Sequence, residues 1–151
     1  MQDAHALLAA TLSIMHLQLY TVGHESMIRL WQTASVEWDN KMLDILWIWP
    51  SVYNTASIMA NRCSPYHMDM NGKVEWFDQL LMVAGLDMVF PRQHLRLRYN
   101  PGTMIAFFGR LLVHGVGDVE GERVCIACYM QQKVHSAFGI QPCDYAKLQD
   151  V

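Results

Sequence analysis

The chain has 151 residues, of which 52% are hydrophobic, 11% aromatic and 17% charged, with a net charge of −3. This is the profile of one folded domain with a sizeable core, and it excludes a disordered or low-complexity chain. The balance of 11 Lys and Arg against 14 Asp and Glu gives no overall basic surface of the duplex-binding kind, and four cysteines are too few for a disulfide scaffold.

Residues 3–20 place Leu7, Leu8, Leu12, Met15 and Leu19 at helical spacing behind Asp3, which can cap the start. The stretch has no basic residue near its beginning and no small-x-small cleavage site, so it reads as a core helix and not as a signal peptide. No apolar run reaches the length of about 18 residues that a membrane span needs. Val22-Gly23 is expected to break this helix, His24 to Thr33 is a second helical candidate, and Val36 to Trp47 a third. Trp49-Pro50 closes the helical part, because a residue before proline leaves the α region.

From Ser51 the pattern changes to a period of two, with Val52, Asn54, Ala56, Ile58 and Ala60 on one side, so a strand is expected to lead into His67-Met68-Asp69. His94 to Tyr99 alternates more cleanly, setting His94, Arg96 and Arg98 against Leu95, Leu97 and Tyr99. Asn100-Pro101-Gly102 is a turn, Met104 to Phe108 a buried strand, and Leu111 to Val113 a short strand ending in His114, with a glycine turn after it. Gly117 to Gly121 is a further turn, Arg123 to Met130 a strand, and 132–150 a helical or loose tail broken at Gly139 and Pro142. Helices first and antiparallel-type strands after them predict an α+β fold, with helices over 1–48, a barrel or jelly-roll core over about 50–131 and a tail over 132–151, all in a single domain.

The chemistry sits in four residues. A non-haem Fe(II) oxygenase needs three protein ligands on one face of an octahedron, leaving three positions for a bidentate 2-oxo acid and O2. Two imidazoles and one carboxylate meet that need, and an HxD supplies two of them from one strand end. His67-Met68-Asp69 alone is weak, since roughly 0.4 such triplets arise by chance in this composition. His114 is 45 residues after Asp69, beyond two or three expected strands, and Arg123 opens the next strand. Arg123, Cys125, Ala127 and Tyr129 share one face there, and small residues beside an inward guanidinium leave room for the second carboxylate of 2-oxoglutarate. The plainer reading of Arg123 is a strand-edge ion pair with Glu120 or Glu122. Cys125-Ile126-Ala127-Cys128 is a CxxC by count, but it lies in an apolar run with no flanking turn, so core thiols are expected.

Several segments together resemble a known family. Trp49-Pro50-Ser51-Val52-Tyr53, Ala60-Asn61-Arg62-Cys63-Ser64-Pro65-Tyr66-His67-Met68-Asp69, Trp76-Phe77-Asp78, Tyr99-Asn100-Pro101-Gly102-Thr103, His114-Gly115-Val116 and Gly121-Glu122-Arg123-Val124-Cys125 are similar to the 2-oxoglutarate/Fe(II) dioxygenases of the TET/JBP type. The nearest resemblance is to the transposon-associated group of mushroom-forming fungi, over about residues 47–135. It implies a double-stranded β-helix (jelly-roll or cupin-like), Fe(II) on His67, Asp69 and His114, and 2-oxoglutarate on Arg123. It also implies oxidation of the methyl of a modified base, 5-methylcytosine in DNA above all, and hence an intracellular, nuclear protein.

In related folds an Asn at the place of Asn61 can contact the cosubstrate; a capped strand end is the plainer alternative. Tyr129 can hydrogen-bond the cosubstrate or hold a local partner. Arg92, Arg96 and Arg98, with His94, form the only basic concentration, either a solvated strand face or a phosphate contact, and Arg110 can join either. Trp76 and Phe77 read as core or as a stacking surface for an extruded base. The alternatives to DNA oxidation are a hydroxylase of a protein or small molecule with the same ligands and another rim, a truncated inactive relative kept as a binding module, and a cupin-like metal protein without 2-oxoglutarate.

Overall fold

A computed structural model describes residues 2–84, 86–117 and 121–146, with the side chains of Leu86 and Asp87 also outside the description. The chain divides into two compact units, one of residues 1–54 with 130–151 and one of residues 55–129.

The first unit is helical: α1 Gln2–Met15, α2 Leu17–Glu37, α3 Asn40–Trp47 and, from the C-terminal end, α4 Gln132–Ala137. Leu8, Leu12 and Leu19 are fully buried as the periodicity implies, while Leu7 is exposed. The expected break at Val22-Gly23 does not occur, and the helix is interrupted at His16 instead. His16 has a non-helical φ of −157°, and its Nδ1 accepts the backbone N–H of Leu19 at 3.4 Å. Its Nε2 meets the carbonyl of Asp144 at 2.9 Å, so the ring is an N-cap held from both sides. Gly23 instead lies inside α2. A glycine there costs about 1 kcal/mol of helix propensity. A Cβ, however, would press on Met130 Cε and stand 2.8 Å from the carbonyl of Val52. Close packing, not chain reversal, is what the glycine serves. α2 ends at Trp38, which takes a left-handed φ of 57°, and Asp39 caps α3 by accepting from the N–H of Met42 at 3.1 Å. The third helix is therefore shorter than the expected span from Val36. α4 ends before Gly139 (φ 64°), as the tail reading anticipates, and residues 147–150 of that tail lie outside the described residues.

The second unit is all β. Its strands are β1 Thr55–Ala60, β2 Ser64–His67, β3 Asp78–Ala84, β4 Leu86–Phe90, β5 Leu95–Tyr99, β6 Met104–Phe107, β7 His114–Val116 and β8 Val124–Tyr129. They form two antiparallel four-stranded sheets, in the orders β1-β8-β3-β6 and β2-β7-β4-β5. Leu80, Met82, Phe107 and Cys125 of the first sheet and Met88, Phe90, Tyr99 and Val116 of the second make one core cluster. Each fully buried side chain of this size contributes roughly 1.5–3 kcal/mol.

Two expectations for this unit are corrected. Leu111 to Val113 are not a strand: the N–H groups of Leu111 and Leu112 both donate to the carbonyl of Phe108, at 3.0 and 2.9 Å, which makes a turn. His114 consequently begins a strand where one was expected to end, and Gly115 is a strand residue, not a turn residue. A Cβ on Gly115 would lie 2.8 Å from Tyr66 Cδ1 and 2.9 Å from the carbonyl of Ser64, so only glycine lets β2 approach β7 there. Likewise, His94 is not in a strand; it closes a 3-10 turn in the left-handed region at φ 52°, and β5 starts at Leu95.

Candidate active site

His67 ends β2 and His114 starts β7, and the two are register partners across the antiparallel pair. Both rings are therefore carried to one place, their centroids 4.4 Å apart. Asp69 follows two residues beyond β2 and is fixed by its backbone N–H, which donates to the carbonyl of Gly109 at 2.9 Å. Its two carboxylate oxygens face the two rings: Oδ1 is 3.6 Å from His67 Nε2 and Oδ2 is 3.3 Å from His114 Nε2. One donor atom from each residue lies within 4.8 Å of the others.

The imidazoles are presented in a definite way. His67 Nδ1 lies 2.8 Å from the carbonyl of Pro65, and His114 Nδ1 lies 2.9 Å from that of Leu112. A carbonyl only accepts, so each Nδ1 donates and Nε2 is the atom that each ring turns to Asp69; the His114 Nε2–H donates to that carboxylate in the metal-free protein, and the loss of this proton would free the nitrogen as a ligand. Cis ligands with bonds of about 2.1 Å stand roughly 3 Å apart. The two imidazole–carboxylate separations, 3.3 and 3.6 Å, approach that, and all three donor atoms lie within 4.8 Å of one another, so two imidazoles and a carboxylate converge as a donor set of the type that suits a divalent iron. Burial lowers the pKa of His114, but the hydrogen bonds to Asp69 and to the carbonyl of Leu112, with the charges of Asp69 and Asp78, outweigh it and leave the ring more basic than usual.

These residues line a cavity of about 190 Å³ within the β unit, shared by Ser57, Asp78, Arg123 and Tyr129. That is below the roughly 300–1,000 Å³ of drug-sized pockets, and suits a small acid. Arg123 has no exposed surface. Its Nη1 donates to the carbonyl of Arg62, while Nε and Nη2 have no hydrogen-bond partner among the described residues. Burial lowers its pKa, with the Cys125 and Cys63 thiols opposing. Of the acids expected to pair with it, Glu122 is exposed and Glu120 lies outside the described residues. A buried guanidinium with two orphaned donors on a cavity is the partner that a small dicarboxylate requires.

Tyr129 lies on the same face of β8 as Arg123, as the alternation implies, and its hydroxyl is 3.2 Å from Ser57 Oγ. Asn61 is exposed, and its Oδ1 accepts the backbone N–H of Arg123 at 2.7 Å. It holds the strand that carries the guanidinium. Trp76 is buried core, and Phe77 packs on Phe108 with centroids 4.4 Å apart. Cys125 and Cys128 point to opposite faces of β8, so they cannot share a metal; burial first of all pushes their thiols up to about 11 and about 12.

One residue escaped the sequence reading. Asp78, at the start of β3, is buried on the same cavity, and burial, then the charge of Asp69, push its carboxyl up to about 8 against the opposing effect of His114. A Cβ on Gly109 would overlap Asp78 Oδ2 and stand 2.7 Å from Asp69 Oδ2. The signal is a lone acid that opens, with Gln79, a strand otherwise apolar, Asp78-Gln79-Leu80-Leu81-Met82.

The comparison with known families agrees with this geometry. The model of the Tet_JBP family, the oxygenase domain of the 2OGFeDO superfamily, matches residues 1–132. The chain belongs to the Tet/JBP family. No curated protein matches the sequence. Membership implies a dioxygenase chemistry with Fe(II), 2-oxoglutarate and O2. No described helix of this Tet/JBP-family chain is long and apolar enough to cross a membrane.

Proposed function

We propose that this Tet/JBP-family chain is a single oxygenase domain that oxidises the methyl group of a modified base, 5-methylcytosine in DNA, with the nucleus as its place of work. The observation that carries the reading is the convergence of His67 Nε2, His114 Nε2 and Asp69 beside the buried guanidinium of Arg123 on one small cavity. The strand orders, in which successive strands alternate between two sheets for most of the unit, support reading it as a double-stranded β-helix. The quoted motifs also support a place in the fungal, transposon-associated group.

In this reading His67, Asp69 and His114 hold Fe(II), and Arg123 pairs with the distal carboxylate of 2-oxoglutarate. When bound, the iron and the 2-oxo acid supply the activation of O2 and the removal of hydrogen from a methyl group. The chain's own residues do the placing. The Nδ1 contacts of both histidines fix ring orientation. The Asn61 contact fixes the backbone of Arg123, and Tyr129 and Ser57 add hydroxyls to the cavity wall for cosubstrate oxygens. Arg123 neutralises the diacid away from bulk water, where a charged hydrogen bond is strongest.

The rim suits a flat base. Tyr66, Met68 and Met70 are exposed and alternate along one segment with His67, which is exposed as well, and the partly buried Asp69. A base taken out of the duplex needs such a stacking surface. The test is succinate release from 2-oxoglutarate with Fe(II), with and without a methylated oligonucleotide, followed by analysis of the base. Methyl-dependent stimulation and a hydroxymethyl product are expected. Unchanged turnover in His114→Ala would rule out the ligand assignment, and equal turnover with unmethylated DNA would rule out the substrate.

A further inference from the structure

Tyr99 is 3% exposed, and its hydroxyl donates to Met88 Sδ at 2.9 Å. A thioether is a weak acceptor, so this is an unusual use of a core hydroxyl. Burial first, and the Cys125 thiol second, push the pKa of Tyr99 further up, which keeps the proton on its oxygen.

The register shows what stands on either side of the sulfur. Met88 is the direct partner of Val116 across β4 and β7, and His114 lies two residues before Val116 on the same inner face. Met88 and His114 line one cavity with His67, Asp69 and Arg123. On its other side Met88 pairs with Leu97 of β5, and Tyr99 stands two residues beyond Leu97. Tyr99 is not among the described residues that line the cavity. The hydrogen bond therefore draws the sulfur toward a residue outside the cavity wall. Met59 of β1 lines the same cavity, and no hydrogen bond to its sulfur is found among the described residues.

We propose that Tyr99 guards Met88 against oxidation from its own cavity. The threat follows from the chemistry of the family. Oxidation of the thioether takes one oxygen atom from O2 and two electrons from sulfur, giving the sulfoxide. The other two electrons come from 2-oxoglutarate, which loses CO2 and takes the second oxygen atom into succinate. Met88 is 1% exposed, so an oxidant reaches it through the cavity and not from bulk solvent. The sulfoxide is polar, and it would stand in the core cluster beside Leu80, Phe90, Phe107 and Val116, where an added polar oxygen is costly. The Tyr99 hydroxyl opposes this in two ways. It holds the side chain in one orientation, and it engages a lone pair of the sulfur and draws electron density from it.

The threat rests on the proposed function, whereas the guard does not, so the test has two arms. Metal-free chain is treated with dilute hydrogen peroxide. Iron-loaded chain is given 2-oxoglutarate in air without DNA, and succinate is measured alongside. Both are then digested, and methionine sulfoxide is mapped by mass. In the unaltered chain Met88 should oxidise more slowly than Met59 in both arms, although the two share a cavity. Tyr99→Phe keeps the ring and removes the donor, with circular dichroism as a fold control. Oxidation of Met88 should then rise about fivefold, the factor that one neutral hydrogen bond represents. Met59 and the exposed Met68 and Met70 should not change. Equal oxidation of Met88 in the unaltered chain and the variant would overturn the guard, as would an unaltered Met88 faster than Met59. A Met59 that speeds up together with Met88 would mean loosened packing and would overturn it as well. No succinate from any chain, with the peroxide arm as expected, would overturn the proposed reaction and leave the guard standing.

Discussion

Asn61 and Arg123 hold each other by a reciprocal pair of hydrogen bonds: Asn61 Oδ1 accepts the N–H of Arg123 at 2.7 Å, and the carbonyl of Arg123 accepts the N–H of Asn61 at 2.9 Å. Asn61 does this from a left-handed φ of 48°, and the next residue, Arg62, offers its carbonyl to the Arg123 guanidinium. One bend thus fixes the backbone and one guanidinium nitrogen. Asn61→Ala loses a contact of about 1 kcal/mol and puts an alanine where the backbone costs roughly 1–2 kcal/mol more. The affinity for 2-oxoglutarate, measured by calorimetry on metal-loaded protein, should fall about tenfold while metal affinity stays the same. Asn61→Gly keeps the backbone and loses the contact, so it should fall between the two.

A buried cation with two unpartnered donors destabilises the free protein, since an apolar side chain of similar size carries no such desolvation cost. Arg123→Met should therefore melt a few degrees higher than the unaltered chain without ligand. It should lose the upward shift in melting temperature that 2-oxoglutarate gives the metal-loaded protein. A variant that melts lower, or that still responds to 2-oxoglutarate, would contradict the role given to Arg123.

Asp78 makes the metal-free protein sensitive to pH. Its carboxyl titrates at about 8 in the fold against 3.8 as the reference value, because of burial first and the charge of Asp69 second. Between those values the folded chain keeps a proton that the unfolded chain has released. Stability must then fall as pH rises, by up to about 1.4 kcal/mol per pH unit, and level off above pH 8. Asp78→Asn has no such proton to lose. The stability difference between variant and unaltered chain, from urea melts without metal, should grow in favour of the variant from pH 5 to pH 8. A difference that is flat with pH would remove Asp78 from the account.

What the sequence revealed follows from how regular each signal is. Strict alternation over Arg123, Cys125, Ala127 and Tyr129 sets Arg123 and Tyr129 on one face, and both line the cavity, because a period of two leaves no ambiguity. The HxD and the distant His114 were also legible, as residue types with a chemical purpose. β3 and β4 were not seen, since a continuous apolar run such as Leu80 to Val83 reads equally as strand or helix. Gly23 and Gly115 misled for one reason: a glycine that allows close packing is indistinguishable in one dimension from a glycine that allows a turn. The capping of α2 by His16 depends on Asp144, 128 residues away, which no local pattern encodes.

Gly109 offers the sharpest test of the metal centre. Its carbonyl holds the N–H of Asp69 at 2.9 Å, and the space where its side chain would be is filled by the carboxylates of Asp78 and Asp69. An added methyl cannot be accommodated by backbone strain relief, because the neighbours are the acid groups themselves. In Gly109→Ala both must turn away, and the ligand oxygen leaves its place between the two Nε2 atoms. Displacing a ligand's support typically costs 10–100-fold in metal affinity. The same loss is expected here for Fe(II), or for Co(II) as a spectroscopic substitute titrated by absorbance, with circular dichroism unchanged. Gly109→Ala combined with Asp78→Ala frees the space of one carboxylate and should recover most of the affinity. No recovery in the double variant would mean that Gly109 acts through the backbone alone.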